Sequence, residues 1–116
     1  MILPSKELIS EVLSKEVEEE ERFIDSNSLT YVNSGVYEDI NIYELAHKCK
    51  EWALSEGYII EVGVHPTIKK DRSDKDYFYK ITTDRGQRII SKFDEIIKTE
   101  PEAIFKACEL ILKEMR

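Results

Sequence analysis

Apolar and polar positions alternate along this chain with two periods, and the places where the period changes mark its elements. Leu8, Ile9, Val12, Leu13 and Val17 recur at spacings of three and four. That spacing predicts a first amphipathic helix. Pro4-Ser5 supplies its start, since proline suits a first turn and serine can cap. The acidic run Glu18–Glu21 follows and reads as a solvated last turn or a helix-to-loop transition. Four acids there oppose the helix dipole, so that end should fray.

Residues 25–40 change register. Asp25-Ser26-Asn27-Ser28 is loop chemistry, Leu29-Thr30-Tyr31-Val32 has strand composition, Asn33-Ser34-Gly35 is a turn signal and Val36-Tyr37 can begin a return strand. A short hairpin and a single strand with an irregular connection both fit. At least one strand is expected, because a later hairpin needs company: two strands alone are marginal.

The stretch from Asn41 to Phe93 organises the chain. Asn41 can cap a second helix, Glu44 stands three residues on in a capping-box arrangement, and Ile40 and Leu45 are placed as a hydrophobic staple. Ile42, Leu45, Ala46, Cys49, Trp52 and Ala53 share one face, while His47, Lys48, Lys50 and Glu51 fall largely elsewhere. Gly57 is the expected left-handed stop. Ile60, Val62 and Val64 then alternate with polar or small residues, giving a strand from Tyr58 to about His65 that Pro66 ends. Thr67 to Asp76 form a charged tip, and Tyr77 to Thr83 a return strand with Tyr77, Tyr79 and Ile81 on one side.

A third helix is predicted from Thr83 or Asp84, with Ile89, Ile90, Phe93, Ile96 and Ile97 as its stripe. Thr99-Glu100-Pro101-Glu102 reads as a stop and a new capping box, opening a last helix that carries Ile104, Ala107, Cys108, Ile111, Leu112 and Met115. The expected fold class is therefore α+β, in a single domain over residues 1–116. Its order is an N-terminal helix, short strand(s), a central helix, an antiparallel β-hairpin and two C-terminal helices, with helices on one sheet face.

Composition adds little to the fold and more to the function. The chain has 116 residues and a net charge of −7, which argues against a general nucleic-acid binder. The charge is uneven: residues 1–40 carry ten Asp/Glu against three Lys/Arg, and residues 41–93 carry eight against ten. No apolar run is long enough for a membrane span or a secretory leader, so the cytoplasm is the expected compartment and no membrane partner is expected. Cys49 and Cys108 fall on apolar helix faces and read as core residues in a reducing compartment.

No catalytic, metal or cofactor constellation emerges. His47-x-Cys49 lacks a second ligand pair. Asp71, Asp74 and Asp76 lack the glycine and terminal glutamate of a calcium loop. The four glycines stand apart rather than forming a phosphate loop, and no serine sits in a nucleophile motif. No cofactor is expected.

Tyr79-Lys80-Ile81-Thr82-Thr83-Asp84-Arg85-Gly86 resembles the Tyr-x-Leu-Thr-x-x-Gly run with which PadR- and MarR-like winged-helix regulators leave their second wing strand. Here either one extra residue lies between Thr82 and Gly86, or Thr83 serves as the threonine and shifts the match. Ser55-Glu56-Gly57-Tyr58-Ile59 resembles the helix end that enters the first wing strand in the same regulators. The resemblance covers about residues 52–93. It implies a DNA-binding regulator, commonly dimeric, with Lys69, Lys70, Arg72 and Lys75 at a wing tip against phosphates. His47, Lys48, Lys50 and Glu51 would then face bases. A winged helix also needs a helix before residue 41, where residues 25–40 read as strand and turn.

Three readings of function follow. The first is a non-catalytic interaction or regulatory domain that meets a protein partner or a second copy of itself as a homodimer. The second is the DNA-binding regulator, and the third is a small enzyme or ligand-binding domain. Lys48, Lys50, Lys69, Lys70, Arg72 and Lys75 are the candidate contacts for a nucleic acid or another anionic partner.

Overall fold

The computed structural model describes residues 3–25, 27–64, 76–92 and 97–115. Helix α1 (Lys6–Leu13) begins where Ser5 accepts a hydrogen bond from the Leu8 amide. It ends sooner than its stripe predicts. Ser14 takes the left-handed conformation, with φ 53°, and its N–H closes on the Ser10 carbonyl. The Val17 amide then donates to the Ser10 hydroxyl as the chain turns away.

Strand β1 (Val17–Asp25) therefore holds the acidic run that reads in sequence as a helix end. The correction has a physical cause: the glutamates that oppose a helix dipole meet no such penalty in an extended strand. β1 pairs antiparallel with β2 (Ser28–Asn33), with a shift in register between Glu18 and Phe23. β2 turns into β3 (Val36–Asn41) through Ser34 and Gly35, both at positive φ. That is the two-residue turn whose twist suits a hairpin. The first sheet has the order β1–β2–β3. Of the two arrangements open for this segment, the hairpin is the one that forms.

Helix α2 (Ile42–Ser55) starts and stops as its sequence directs. The Asn41 side chain accepts from the Tyr43 and Glu44 amides, and Gly57 at φ 93° turns the chain out. Its buried residues are the six of the predicted stripe, Ile42, Leu45, Ala46, Cys49, Trp52 and Ala53. Strands β4 (Tyr58–Val64) and β5 (Tyr77–Thr83) form the predicted hairpin, in continuous register from Tyr58↔Thr83 to Val64↔Tyr77.

The third helix does not form where it was expected: Arg88–Lys92 is strand β6, paired with β5. The Asp84–Gln87 segment reverses the chain. Gly86 sits at φ 87°, its amide donates to the Thr83 carbonyl, and the Thr83 amide donates to the Gln87 carbonyl. Ile90 then stands opposite Ile81 in the β5–β6 register, so pairing of the backbone with β5 outweighs a helical spacing. Phe93 and Ile96, from the same predicted stripe, lie outside the described residues.

Helix α3 (Glu100–Leu110) opens at the predicted Thr99 cap and runs into a π-helical turn, Ile111–Met115. The described residues thus hold three helices, with one C-terminal helix in place of two. They form two three-stranded antiparallel sheets, β1–β2–β3 and β4–β5–β6. β6 gives the β4–β5 hairpin its third strand, while the early hairpin pairs with β1. One buried cluster joins Leu29 and Tyr31 of the first sheet, Ile60, Tyr79 and Ile81 of the second, and the inner faces of all three helices. α2 packs on β4 and α3, and α3 packs on β4 and β5. No helix among the described residues is long and apolar enough to cross a membrane.

Candidate interaction surface along helix α2

Beside its buried face, α2 carries a second stripe. Tyr43, His47, Lys50 and Leu54 follow one another at spacings of four, three and four, which sets them in one line on the side away from the core. Tyr43 is 59% exposed and Leu54 56% exposed. β4 is an edge strand, and Ile59, alternating outward from buried Ile60, is 38% exposed beside this stripe. Large apolar side chains held open on a helix and a neighbouring edge strand are the unusual feature, since isolated ones are ordinary.

The stripe borders two adjoining hollows. One, of about 360 Å³, lies between α2 and β4 and takes in Leu54, Tyr58 and Ile59, with His47, Lys50 and Glu51 at its side. The other, of about 160 Å³, lies between α2 and the start of α3, among Tyr43, Ala46, Pro101 and Ile104 with Glu100 at the rim. His47 and Lys50 border both, so the two make one groove along the helix. The His47 Nε2 is 2.7 Å from Glu51 Oε1, one turn on.

The candidate contacts from sequence divide. Lys50 is exposed on this groove. Lys48 is half-buried around the helix from it and borders a separate polar cleft with Val12, Tyr31, Ile40 and Glu44. Lys69, Lys70, Arg72 and Lys75 lie outside the described residues. The segment before α2 is the β2–β3 hairpin, so α2 has no helix immediately before it at residues 28–41. Tyr43 and Leu54 were not singled out in sequence, and Ile59 entered only within the Ser55–Ile59 run. Their signal was present: Tyr43 and Leu54 are large apolar residues off the buried stripe of a helix whose phase was clear.

A polar cluster lies between the end of α1 and the first sheet. The Lys15 Nζ is 2.8 Å from Glu38 and 3.4 Å from the Tyr31 hydroxyl. Lys15 holds the Glu38 carboxyl below the usual carboxylate range, and Glu38 in turn raises Lys15. Burial raises the Tyr31 hydroxyl, away from the range useful to a base near neutrality. The Cys108 thiol donates to the Cys49 carbonyl at 3.4 Å, and its hydrogen bonding with Cys49 together with burial pushes it well up. Such a thiol is a poor nucleophile. Among the described residues, no three His, Cys, Asp or Glu side chains converge to hold a metal ion. Comparisons with protein families, with characterised proteins and with solved structures give no match to this chain.

Proposed function

We propose that this protein is a non-catalytic interaction domain that docks a protein partner through the groove along α2. The observation that carries the reading is the second stripe. A helix already anchored by six buried residues holds Tyr43 and Leu54 more than half exposed, beside Ile59 of an edge strand. Burying such side chains against a partner releases roughly 25 cal/mol per Å² of apolar surface. Tyrosine is also among the residues that commonly dominate interfaces.

The DNA-binding reading keeps Lys50 on an exposed helix face, but Lys48 is half-buried around the helix and the remaining candidate contacts belong to residues 69–75. Glu44 and Glu51 lie on exposed turns of the same helix, where phosphates would be repelled. The interaction reading is therefore preferred. A photo-reactive residue at position 43, in cells of the protein's own source, tests it. The expected result is a discrete protein adduct that disappears when Leu54→Asp is added. Adducts no stronger than those from the exposed position 16 would refute it.

A further inference from the structure

We infer that Cys49 and Cys108 form a redox-sensitive bolt: in the presence of a small disulfide such as oxidised glutathione they join to each other and fasten α2 covalently to α3. The inference is independent of the docking reading above.

The two thiols stand 59 positions apart in sequence and meet in the core, where both are buried and free. The Cys108 Sγ lies 3.4 Å from the Cys49 carbonyl oxygen. The Cys108 side chain thus reaches the backbone of α2 at the very residue that carries the second thiol. The thiols also interact with each other, which helps to keep Cys108 protonated. Small buried residues accompany them, Ala46 and Ala53 on α2 and Ala103 and Ala107 on α3. Such residues suit a close approach of two helices. These are the chain's two cysteines, so no third thiol competes for either.

The chemistry is thiol–disulfide exchange. One cysteine thiolate attacks a sulfur of the glutathione disulfide, releases one glutathione thiolate and leaves a mixed disulfide. The thiolate of the other cysteine attacks the protein sulfur of that bond and releases the second glutathione. Two protein thiols are oxidised, one glutathione disulfide is reduced, and the two protons end on the released glutathione thiols. Burial makes the exchange slow, because it proceeds as the α2–α3 contact opens or as the chain folds. The equilibrium is set differently. Thiols held together by the fold have a higher effective concentration toward each other than the same thiols in an unfolded chain.

Equilibration of the full chain in graded mixtures of reduced and oxidised glutathione tests this, in native buffer and in denaturant. Each equilibrium is approached from both the reduced and the oxidised chain, and free thiols are then alkylated and the chain weighed. The link should be half-formed in the folded chain at a level of oxidised glutathione at least tenfold lower than in the unfolded chain. By linkage, the oxidised chain should unfold at a higher urea midpoint than the reduced one and keep its circular dichroism spectrum. Cys49→Ala and Cys108→Ala should each form no internal link and stop at the mixed disulfide. A link that forms no more readily in the folded chain than in the unfolded one, or that lowers the urea midpoint, would overturn the inference, since the native contact would then be strained against the bond. This comparison uses the natural chain alone, so it decides the matter even if an alanine variant fails to fold.

Discussion

Gly63 stands directly opposite Phe78 in the β4–β5 ladder, and the Phe78 ring occupies the space that a Cβ on Gly63 would fill. The Lys80 ammonium lies 5.8 Å from the centre of the same ring, so a cation–π contact borders it on the outer face of the sheet. Glycine normally weakens a strand. Here its missing side chain is what lets an aromatic ring lie flat across the ladder.

This relationship fixes the sign of a double-mutant cycle. Gly63→Ala should displace the ring and lower unfolding stability by about 1 kcal/mol, despite the better strand propensity of alanine. In a Phe78→Ala background the same change should be neutral or stabilising. Urea unfolding of the four proteins measures the coupling, and simple additivity would show that the ring does not rest on Gly63.

The Ser5–Glu109 contact joins the start of α1 to the end of α3. Glu109 Oε1 accepts from both the Ser5 amide, at 2.8 Å, and the Ser5 hydroxyl, at 2.7 Å, and the Glu109 side chain is only 21% exposed. Glu109→Ala should cost about 2 kcal/mol, because it leaves partly buried donors without their acceptor. Ser5→Ala should cost about 1 kcal/mol through the lost helix cap. Denaturant midpoints should show the double variant losing less than the two losses together.

The Lys15–Glu38 pair gives a pH dependence. Its Glu38 carboxyl is depressed below the ordinary value of 4.5, chiefly by Lys15. A depressed carboxylate contributes stability that is fully present above its unfolded value and disappears as pH falls through the lowered folded value. Melting curves of the wild type and Glu38→Gln should therefore differ at pH 6 and converge as the pH drops below 4.5. Added salt should narrow the gap at pH 6, since the pair is partly exposed. A gap that widens in acid would contradict the assignment. Lys15 is raised above 10.5, so its share is present below that value and fades at higher pH.

Both cysteines should be silent toward thiol reagents in the folded protein. Cys49 and Cys108 are buried and free, and the Cys108 thiol is held protonated. A colorimetric thiol assay should count close to zero fast-reacting groups in buffer and two in denaturant. Fast reaction of either under native conditions would show that the α2–α3 contact opens.

Where local chemistry decides conformation, the sequence was readable. Asn41 and Gly57 bound α2 where their side-chain and backbone preferences put them, and the β4–β5 hairpin followed from plain alternation. Two segments misled for different reasons. Val17 continues the spacing of α1 but is recruited by β1, because Ser14 adopts a left-handed turn that no glycine announces. Ile89 and Ile90 fit a helical stripe equally well as a strand, and only the distant partner Ile81 decides between them. The groove was legible in part. Lys50 was identified by its charge, whereas Tyr43 and Leu54 went unremarked because apolar residues on a helix are read first as core.

The start of α3 is clasped to the sheet: the Tyr77 amide donates to the Ile97 carbonyl at 2.9 Å, and Lys98 Nζ lies 2.9 Å from Asp76. Cys108 ties the same helix to α2 further along. Both walls of the smaller hollow therefore belong to one braced frame. A ligand entering it would find its receptor already in shape, and little of the association free energy would go into ordering the host. Loosening the clasp, as with Lys98→Ala, should then weaken binding from a distance by raising the entropy of the empty groove, without removing a single contact to the guest.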